Sequence, residues 1–313
     1  MPASGSTRAV LAALSANAGI AAAKLIGYLI TGSSAMLAEV VHSVADTANQ
    51  GLLLFGQREA AKQADALHPF GYGRSRYFWS FVVALVLFSL GSVFALYEGY
   101  HKMIEPVELS HPMVAIAILG VAIVLEAYSF RTALDESRPL KGDSGWWRFV
   151  RNTRSPELPV VLLEDTAALL GLLLALAGVG LTVLTGSPVW DGVGTLGIGV
   201  LLGLVATFLM VEMHSLLIGE GATVVEDRAI RAALERTANV TRLIHIRTQY
   251  LGPDELLVAA RIALAPQIDL AAVVATIDVA KAGIRAAVPA ARVIYLEPEL
   301  GRVAVQDSVQ QKG

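Results

Sequence analysis

The sequence predicts an α-helical membrane protein with six transmembrane helices and a C-terminal cytosolic α+β domain. Three observations carry that reading. The chain has 313 residues, of which 55% are hydrophobic and only 16% charged, and its mean hydropathy is +0.59; this apolar excess places it in the membrane class. Six segments hold the roughly 20 mostly apolar residues that a bilayer crossing needs. Beyond about residue 216 the apolar runs shorten and charges become regular.

The first span, roughly 8–31, follows a short polar start from Met1 to Arg8. It is long enough to cross and lacks a convincing cleavage pattern, so it is read as a membrane helix and not as a signal peptide. The second, roughly 33–56, is set off by Thr31-Gly-Ser-Ser34. The third and fourth cover roughly 77–100 and 112–134. The fifth and sixth, roughly 158–184 and 190–213, are split by Thr185-Gly-Ser-Pro188. Loop charge sets the orientation. The connection after the second span holds Arg58, Lys62, Arg74 and Arg76, and that after the fourth holds Arg131, Arg138, Lys141, Arg148, Arg151 and Arg154. The three opposite connections hold only Lys102. Both termini and the two basic loops are therefore expected in the cytoplasm.

The transport domain is assigned to residues 1–216 and the cytosolic domain to 217–300. In the latter, Val225–Ala238 has helical spacing, Arg242–Tyr250 and Glu255–Leu264 read as strands parted by Gly252-Pro253, Leu270–Val288 reads as a helix and Arg292–Glu297 as a strand. That α-β-β-α-β order suggests a small ferredoxin-like sandwich, of a size that dimerisation often supports. The polar tail, 301–313, is expected to be disordered.

A net charge of −3 gives no basic field for nucleic acid. There are no cysteines, which excludes disulfides and thiolate metal sites and leaves His, Asp and Glu as ligands. Two spans carry such residues where they are costly. In the second, His42 and Asp46 are four apart and share one helical face. Imidazole with carboxylate suits a borderline divalent ion such as zinc better than magnesium or calcium; the rival reading is a hydrogen-bonding pair between helices, with no metal. In the fifth, Glu164 and Asp165 point about 100° apart. Asp165 is expected to face the bundle centre and Glu164 either to join it or to meet a neighbouring helix.

These residues sit in motifs that resemble the cation diffusion facilitator family over nearly the whole chain: His42-Ser-Val-Ala-Asp46-Thr-Ala-Asn49-Gln50, His68-Pro-Phe-Gly-Tyr72-Gly-Arg74, Tyr97-Glu-Gly-Tyr-His-Lys-Met-Ile-Glu-Pro106, Leu163-Glu164-Asp165-Thr-Ala-Ala-Leu-Leu-Gly171 and Trp190-Asp191-Gly192. The resemblance implies homodimers that export zinc and related divalent metals from the cytoplasm, usually in exchange for protons. It also implies a tetrahedral site between the second and fifth spans, with His42, Asp46 and Asp165 as ligands. The sequence departs from the family at Val161, four before Asp165, where His or Asp is usual. Glu164 is the candidate for the fourth ligand, with water or Asn49 as alternatives; Leu-Glu-Asp here looks like a subgroup of the family. One His with two or three carboxylates admits Zn2+, and also Mn2+, Fe2+, Co2+ or Cd2+.

The loop containing Asp65 and His68 resembles the family's cytoplasmic metal site, but Tyr72 stands where many members have His. The pair alone makes a weak site, and a structured loop, with Gly71 and Gly73 supplying turns, is the favoured reading. In the cytosolic domain the positions that would carry metal ligands read Ile244, Ala260 and Tyr295. His245 is offset to the other face, and Glu297 is the one plausible survivor. A dimerising or scaffolding role is expected there. Lys24 in the first span can pair with a buried acid such as Glu39 or snorkel to an interface, and Glu126 in the fourth can do either. Glu98, His101 and His111 read as wet-rim residues. Gly192-Val-Gly194-Thr-Leu-Gly197 matches a dinucleotide fingerprint by letters only, lies in a span, and is read as close helix packing.

The sequence therefore predicts a proton-coupled exporter of divalent metal, zinc foremost, in a cell membrane. No permanent cofactor and no nucleic-acid partner are expected. An imidazole titrates near pH 6.5 in water, so His42 can exchange metal for protons. A metal sensor or scaffold without transport is the alternative; a membrane enzyme ranks last, since no nucleophile or oxyanion pattern is present.

Overall fold

The computed structural model describes residues 19–142 and 145–300. The start of the first span, residues 8–18, and the tail, 301–313, lie outside the described residues. Seven helices come first: α1 (Gly19–Thr31), α2 (Ser34–Ala60), α3 (Ser75–Ile104), α4 (Pro112–Lys141), α5 (Trp146–Asn152), α6 (Glu157–Thr185) and α7 (Val189–Ile218). Four of the described helices, α3, α4, α6 and α7, are long and apolar enough to cross a membrane. Helix α2 has 27 residues, or about 40 Å at 1.5 Å per residue, so its length also suffices. Its apolar character is diluted by Glu39, His42, Asp46, Arg58 and Glu59. The multi-pass character of the chain rests on the four apolar helices; of the other two spans expected from the sequence, α1 is a shorter apolar helix over its described residues and α2 is helical but does not match the four in apolar character.

The helices run beyond the apolar windows read from the sequence. Helix α4 continues to Lys141, where Asp135 pairs with Arg131 at 3.9 Å and with Arg138 at 2.9 Å. Such i,i+3 and i,i+4 pairs sustain a helix in water after its apolar run ends. Helix α3 is α-helical at Ser75–Val86 and Phe94–Ile104 but winds as a π-helix over Leu87–Val93. Ser92, within that stretch, donates to the Gly199 carbonyl of α7 at 2.8 Å.

Glycines let α7 approach its neighbours, as expected of the Gly192 to Gly203 run. A Cβ on Gly99 of α3 would lie 2.6 Å from the Leu196 nitrogen, and one on Gly178 of α6 would lie 2.9 Å from the Trp190 carbonyl. Neither position admits a side chain without moving backbone. Helix α2 packs along α3 and α6, and α4 packs along α6.

Asp191, at the start of α7, is fully buried. Ser33 donates its hydroxyl to one carboxylate oxygen at 2.6 Å, while the Ser34 backbone N–H and hydroxyl donate to the other at 2.8 and 2.9 Å. The Lys102 ammonium stands 4.0 Å away and donates to the Gly32 carbonyl at 3.1 Å. Lys102 thus belongs to the buried end of α3 and not to a connection. Ser33 also caps α2 by accepting from the Met36 N–H, so an acid sits at the positive end of α2, where it is favoured. Asp191→Ala removes the counter-charge of the buried Lys102 ammonium and the acceptor of the Ser33 hydroxyl, the Ser34 N–H and the Ser34 hydroxyl. It is expected to cost about 3 kcal/mol or more, seen as a lowered thermal midpoint in detergent, with Asp191→Asn milder because its amide oxygen still accepts.

The chain divides into two compact units. The second begins at Leu216, where the sequence changes character, and takes in the loop Ala64–Arg74 as well. A Cβ on Gly73 would lie 2.8 Å from the Leu251 carbonyl, a proximity that requires glycine. The rest of this unit is α8 (Val224–Glu235), β1 (Val240–Gly252), β2 (Glu255–Leu264), α9 (Leu270–Ala287) and β3 (Val293–Leu300). This is the α-β-β-α-β order read from the sequence. The sheet order is β1-β2-β3, with β1 antiparallel and β3 parallel to β2. Thr223 caps α8 in a reciprocal box with Glu226, a pattern that satisfies two otherwise orphaned N–H groups. Ile230, Leu234, Val258, Ile262, Ile284 and Ile294 form the core between helices and sheet.

Candidate metal centre in the helical unit

The buried face of α2 holds Glu39, His42, Ser43 and Asn49; His42 and Ser43 lie three and four residues after Glu39, and Asn49 lies seven after His42, the spacings of one helical face. Asp46 lies twelve residues from Ser34. That is about 18 Å along the axis, near the middle of a hydrocarbon layer about 30 Å thick. His42 is 1% exposed, and neither ring nitrogen makes a hydrogen bond. Its Nδ1 lies 3.5 Å from Asp46 Oδ1, itself buried and without a hydrogen bond. Buried polar atoms are almost always satisfied, so this pair is an exception of the kind that marks a binding site.

Asp46 opens onto a cavity of about 40 Å³. Its other walls include Ser43 and Gln50 of α2, Glu126 and Ser129 of α4, and Val161, Glu164 and Asp165 of α6. Four carboxylates from three helices thus surround one small space, at a depth where unpaired anions are strongly disfavoured. The structure modifies the expected roles of the two adjacent acids. Glu164, 6% exposed, is the one turned towards α2, where its Oε1 accepts from the Asn49 amide at 2.7 Å. Asp165 lines the cavity with Glu126 and Ser129 of α4. Helix α6 contacts both α2 and α4, and residues 100° apart meet one neighbour each. Asn49 and Glu164, both candidates for the fourth ligand, bind one another, and Asn49 Oδ1 is left without a hydrogen bond. Among the described residues no three His, Asp or Glu side chains converge closely enough to hold one ion. His42 and Asp46 form one pair, with Asp46 in the cavity wall, while Glu164 and Asp165 line the cavity separately from α6.

Sequence reasoning gave Lys24 two roles, and the structure selects one. Its ammonium pairs with Glu39 Oε2 at 3.0 Å and donates to the Ser43 hydroxyl at 2.8 Å; Lys24 is 1% exposed and Glu39 is fully buried. Gly171 of α6 makes room for this pair, since a Cβ there would lie 2.7 Å from Glu39 Oε1.

The loop Ala64–Arg74 spends its acid on itself. Asp65 Oδ1 accepts from the Leu67 and His68 N–H groups at 2.9 and 2.7 Å, and Oδ2 accepts from the Tyr72 hydroxyl at 2.6 Å. The His68 ring stacks on Tyr72 at 4.3 Å, and Gly71 takes φ +74°. The Tyr72 hydroxyl, then the His68 N–H, hold the Asp65 carboxyl below its ordinary range. Asp65 therefore anchors the loop above its unfolded pKa of about 3.9, and the anchor is lost as pH falls through the lowered folded value. Asp65→Asn is expected to loosen this loop, seen as faster amide exchange at Leu67 and His68, and to leave metal transport unchanged. Loss of metal transport on this change would restore Asp65 as a ligand.

In the sheet, His245 pairs with Arg261 and Arg261 with Glu297, so these three share a face. Arg261 donates to Glu297 at 2.8 Å, which commits the acid to an ion pair. The grouping of Ile244, Ala260 and Tyr295 is corrected: Ala260 is 4% exposed and Tyr295 58%, since Tyr295 aligns with Ala259 and period-2 alternation turns the two opposite ways.

A bundle of apolar helices around an acid-lined cavity defines a multi-pass integral membrane protein. The chain belongs to the cation efflux family: residues 10–218 match the family model for the cation efflux transmembrane domain. It is similar to the proton-coupled zinc antiporter SLC30A9, mitochondrial, of Homo sapiens, with 33% identity over 232 residues, covering 73% of this chain and 41% of that protein. It is also similar to metal tolerance protein C4 of Arabidopsis thaliana, with 30% identity over 259 residues, covering 82% and 57%. Magnetosome protein MamB of Magnetospira sp. (strain QH-2) is 27% identical over 190 residues, covering 59% and 58%. The chain spans about two fifths of the length of the zinc antiporters it matches.

Proposed function

We propose that this chain exports divalent metal cations, Zn2+ foremost, from the cytoplasm by exchange for protons. The observation that carries the reading is the mid-membrane cavity, where carboxylates of three helices meet, with His42 buried next to Asp46 and neither ring nitrogen hydrogen-bonded. His42, Asp46 and Asp165 are the ligands of the cation, with Glu164 and Asn49 supporting it. The donors are mostly oxygen with one imidazole, a set that accepts Zn2+ and also Mn2+, Fe2+, Co2+ and Cd2+. Ligands must shed protons to take metal and regain them on release, which links transport to proton movement. The similar antiporters named above support zinc and proton coupling. The assembly is a homodimer in the cell membrane, with both termini cytoplasmic and residues 217–300 serving dimerisation.

The test is uptake of zinc into inside-out vesicles with an acidic interior. Zinc accumulation that collapses when the proton gradient is dissipated supports exchange. Saturable zinc binding without accumulation would favour a sensor or scaffold.

A further inference from the structure

The geometry points to Glu126 of α4 as a ligand of the transported cation, replacing the donor that Val161 lacks. This inference rests on the export reading and adds a helix to its site. Three observations lead to it. First, Val161 lines the cavity with Asp46 and Asp165, so apolar methyl groups face the space where a donor four residues before Asp165 would point. Second, Glu164 is engaged by Asn49 at 2.7 Å, which ties its Oε1 to α2. Third, Glu126 reaches the same cavity from α4. Most of α4 faces outward: Val121 is 62% exposed, Val124 69% and Tyr128 76%. Its buried stripe is Ala115, Leu119 and Ala122. Glu126, half-buried, and Ser129, more exposed, follow that stripe at spacings of four and three, and both line the cavity. Ser129 lines the cavity with Asp165, so this face of α4 already borders the site.

Glu126 makes no ion pair among the described residues. The buried ammonium of Lys24 is committed to Glu39 and Ser43. An ionisable side chain kept at this depth without a protein counter-ion is a functional residue by default. The independent sign that the cavity receives a cation is His42, nine-tenths buried and more, with both nitrogens unpaired and Nδ1 directed at Asp46 in the cavity wall. Asp46, Glu126 and Asp165 with His42 make three carboxylates and one imidazole. That oxygen-rich set widens the accepted ions towards harder ones, Mn2+ and Fe2+.

The experiment measures initial rates of Zn2+ and Mn2+ transport into proteoliposomes of the full chain against metal concentration. Glu126→Gln is expected to raise half-saturation about tenfold or more, the scale on which lost site residues weaken metal binding, and to affect Mn2+ more than Zn2+. Glu126→Asp keeps the charge on a shorter arm and is expected to raise it less. In the Glu126→Gln background, Val161→Asp places a carboxylate on the Asp165 face of α6 and is expected to restore half-saturation. A purely structural role for Glu126 would give no such rescue. Unchanged half-saturation in both Glu126 variants, or failure of Val161→Asp to restore it, overturns the assignment. Asp46→Asn serves as the control that separates the two readings: transport by Asp46→Asn at the native rate defeats the export site itself, whereas its loss beside normal Glu126 variants defeats only this inference.

Discussion

Asp46→Ala and Asp165→Ala are each expected to abolish metal transport while the protein still accumulates in the membrane. The two acids stand on different helices and line the same cavity, so each removes a charged donor from opposite sides of one cation. Neither carries a structural burden comparable with Asp191 or Glu39. Asp46 Oδ1 has no hydrogen bond, and Asp165 lines the cavity without an ion pair among the described residues. Truncating a group that awaits a cation removes like-charge repulsion from the empty protein, so stability is expected to hold or rise while metal binding is lost. Vesicle transport and a detergent melting curve, made on the same preparations, separate the two effects. Transport near the wild-type rate in either variant would mean that the cation passes elsewhere.

The second large effect is expected at Lys24 and Glu39. Both are essentially inaccessible and joined at 3.0 Å. Breaking a buried pair by removing one partner typically costs about 3–5 kcal/mol, because the other charge is left alone. Lys24→Met and Glu39→Gln should each sharply lower the melting temperature in detergent. The double variant should lie well above the sum of the two losses, since neither charge is then stranded; a double-mutant cycle measures this coupling directly. Gly171→Ala should weaken the same pair without touching either charge, because the added methyl would meet Glu39 Oε1. Additive losses would show that the pair is not the unit of stability described here.

Much of this organisation was legible in the sequence, for physical reasons. Helices in lipid must be long and apolar, and turns such as Thr31-Gly-Ser-Ser34 interrupt them. Accordingly α2 begins at Ser34 and α4 at Pro112, as read from the chain. Strand alternation and the Gly252-Pro253 break likewise located β1 and β2. Charge complementarity between Lys24 and Glu39 suggested their pairing. Helix ends were less legible, because hydropathy stops at the edge of the lipid whereas backbone hydrogen bonding continues into water, as in α4.

Contacts between distant segments were not legible. Asp191 stood out only as part of a motif, because its partners Ser33, Ser34 and Lys102 come from two other places in the chain. The π-helical turn at Leu87–Val93 has no periodicity that announces it. That Glu164 meets Asn49 of α2 while Asp165 faces the cavity beside α4 depends on where α2 and α4 sit around α6. Glu126 could be read only as an acid in an apolar span until the structure placed it beside Val161.

The most direct test of the central claim is metal-driven proton flux in proteoliposomes of the wild-type chain. Zinc added to the face corresponding to the cytoplasm should drive protons the opposite way across the bilayer, and the Asp46→Ala and Asp165→Ala variants should give no flux. Zinc that binds the wild-type protein without moving protons or itself crossing the bilayer would contradict the account.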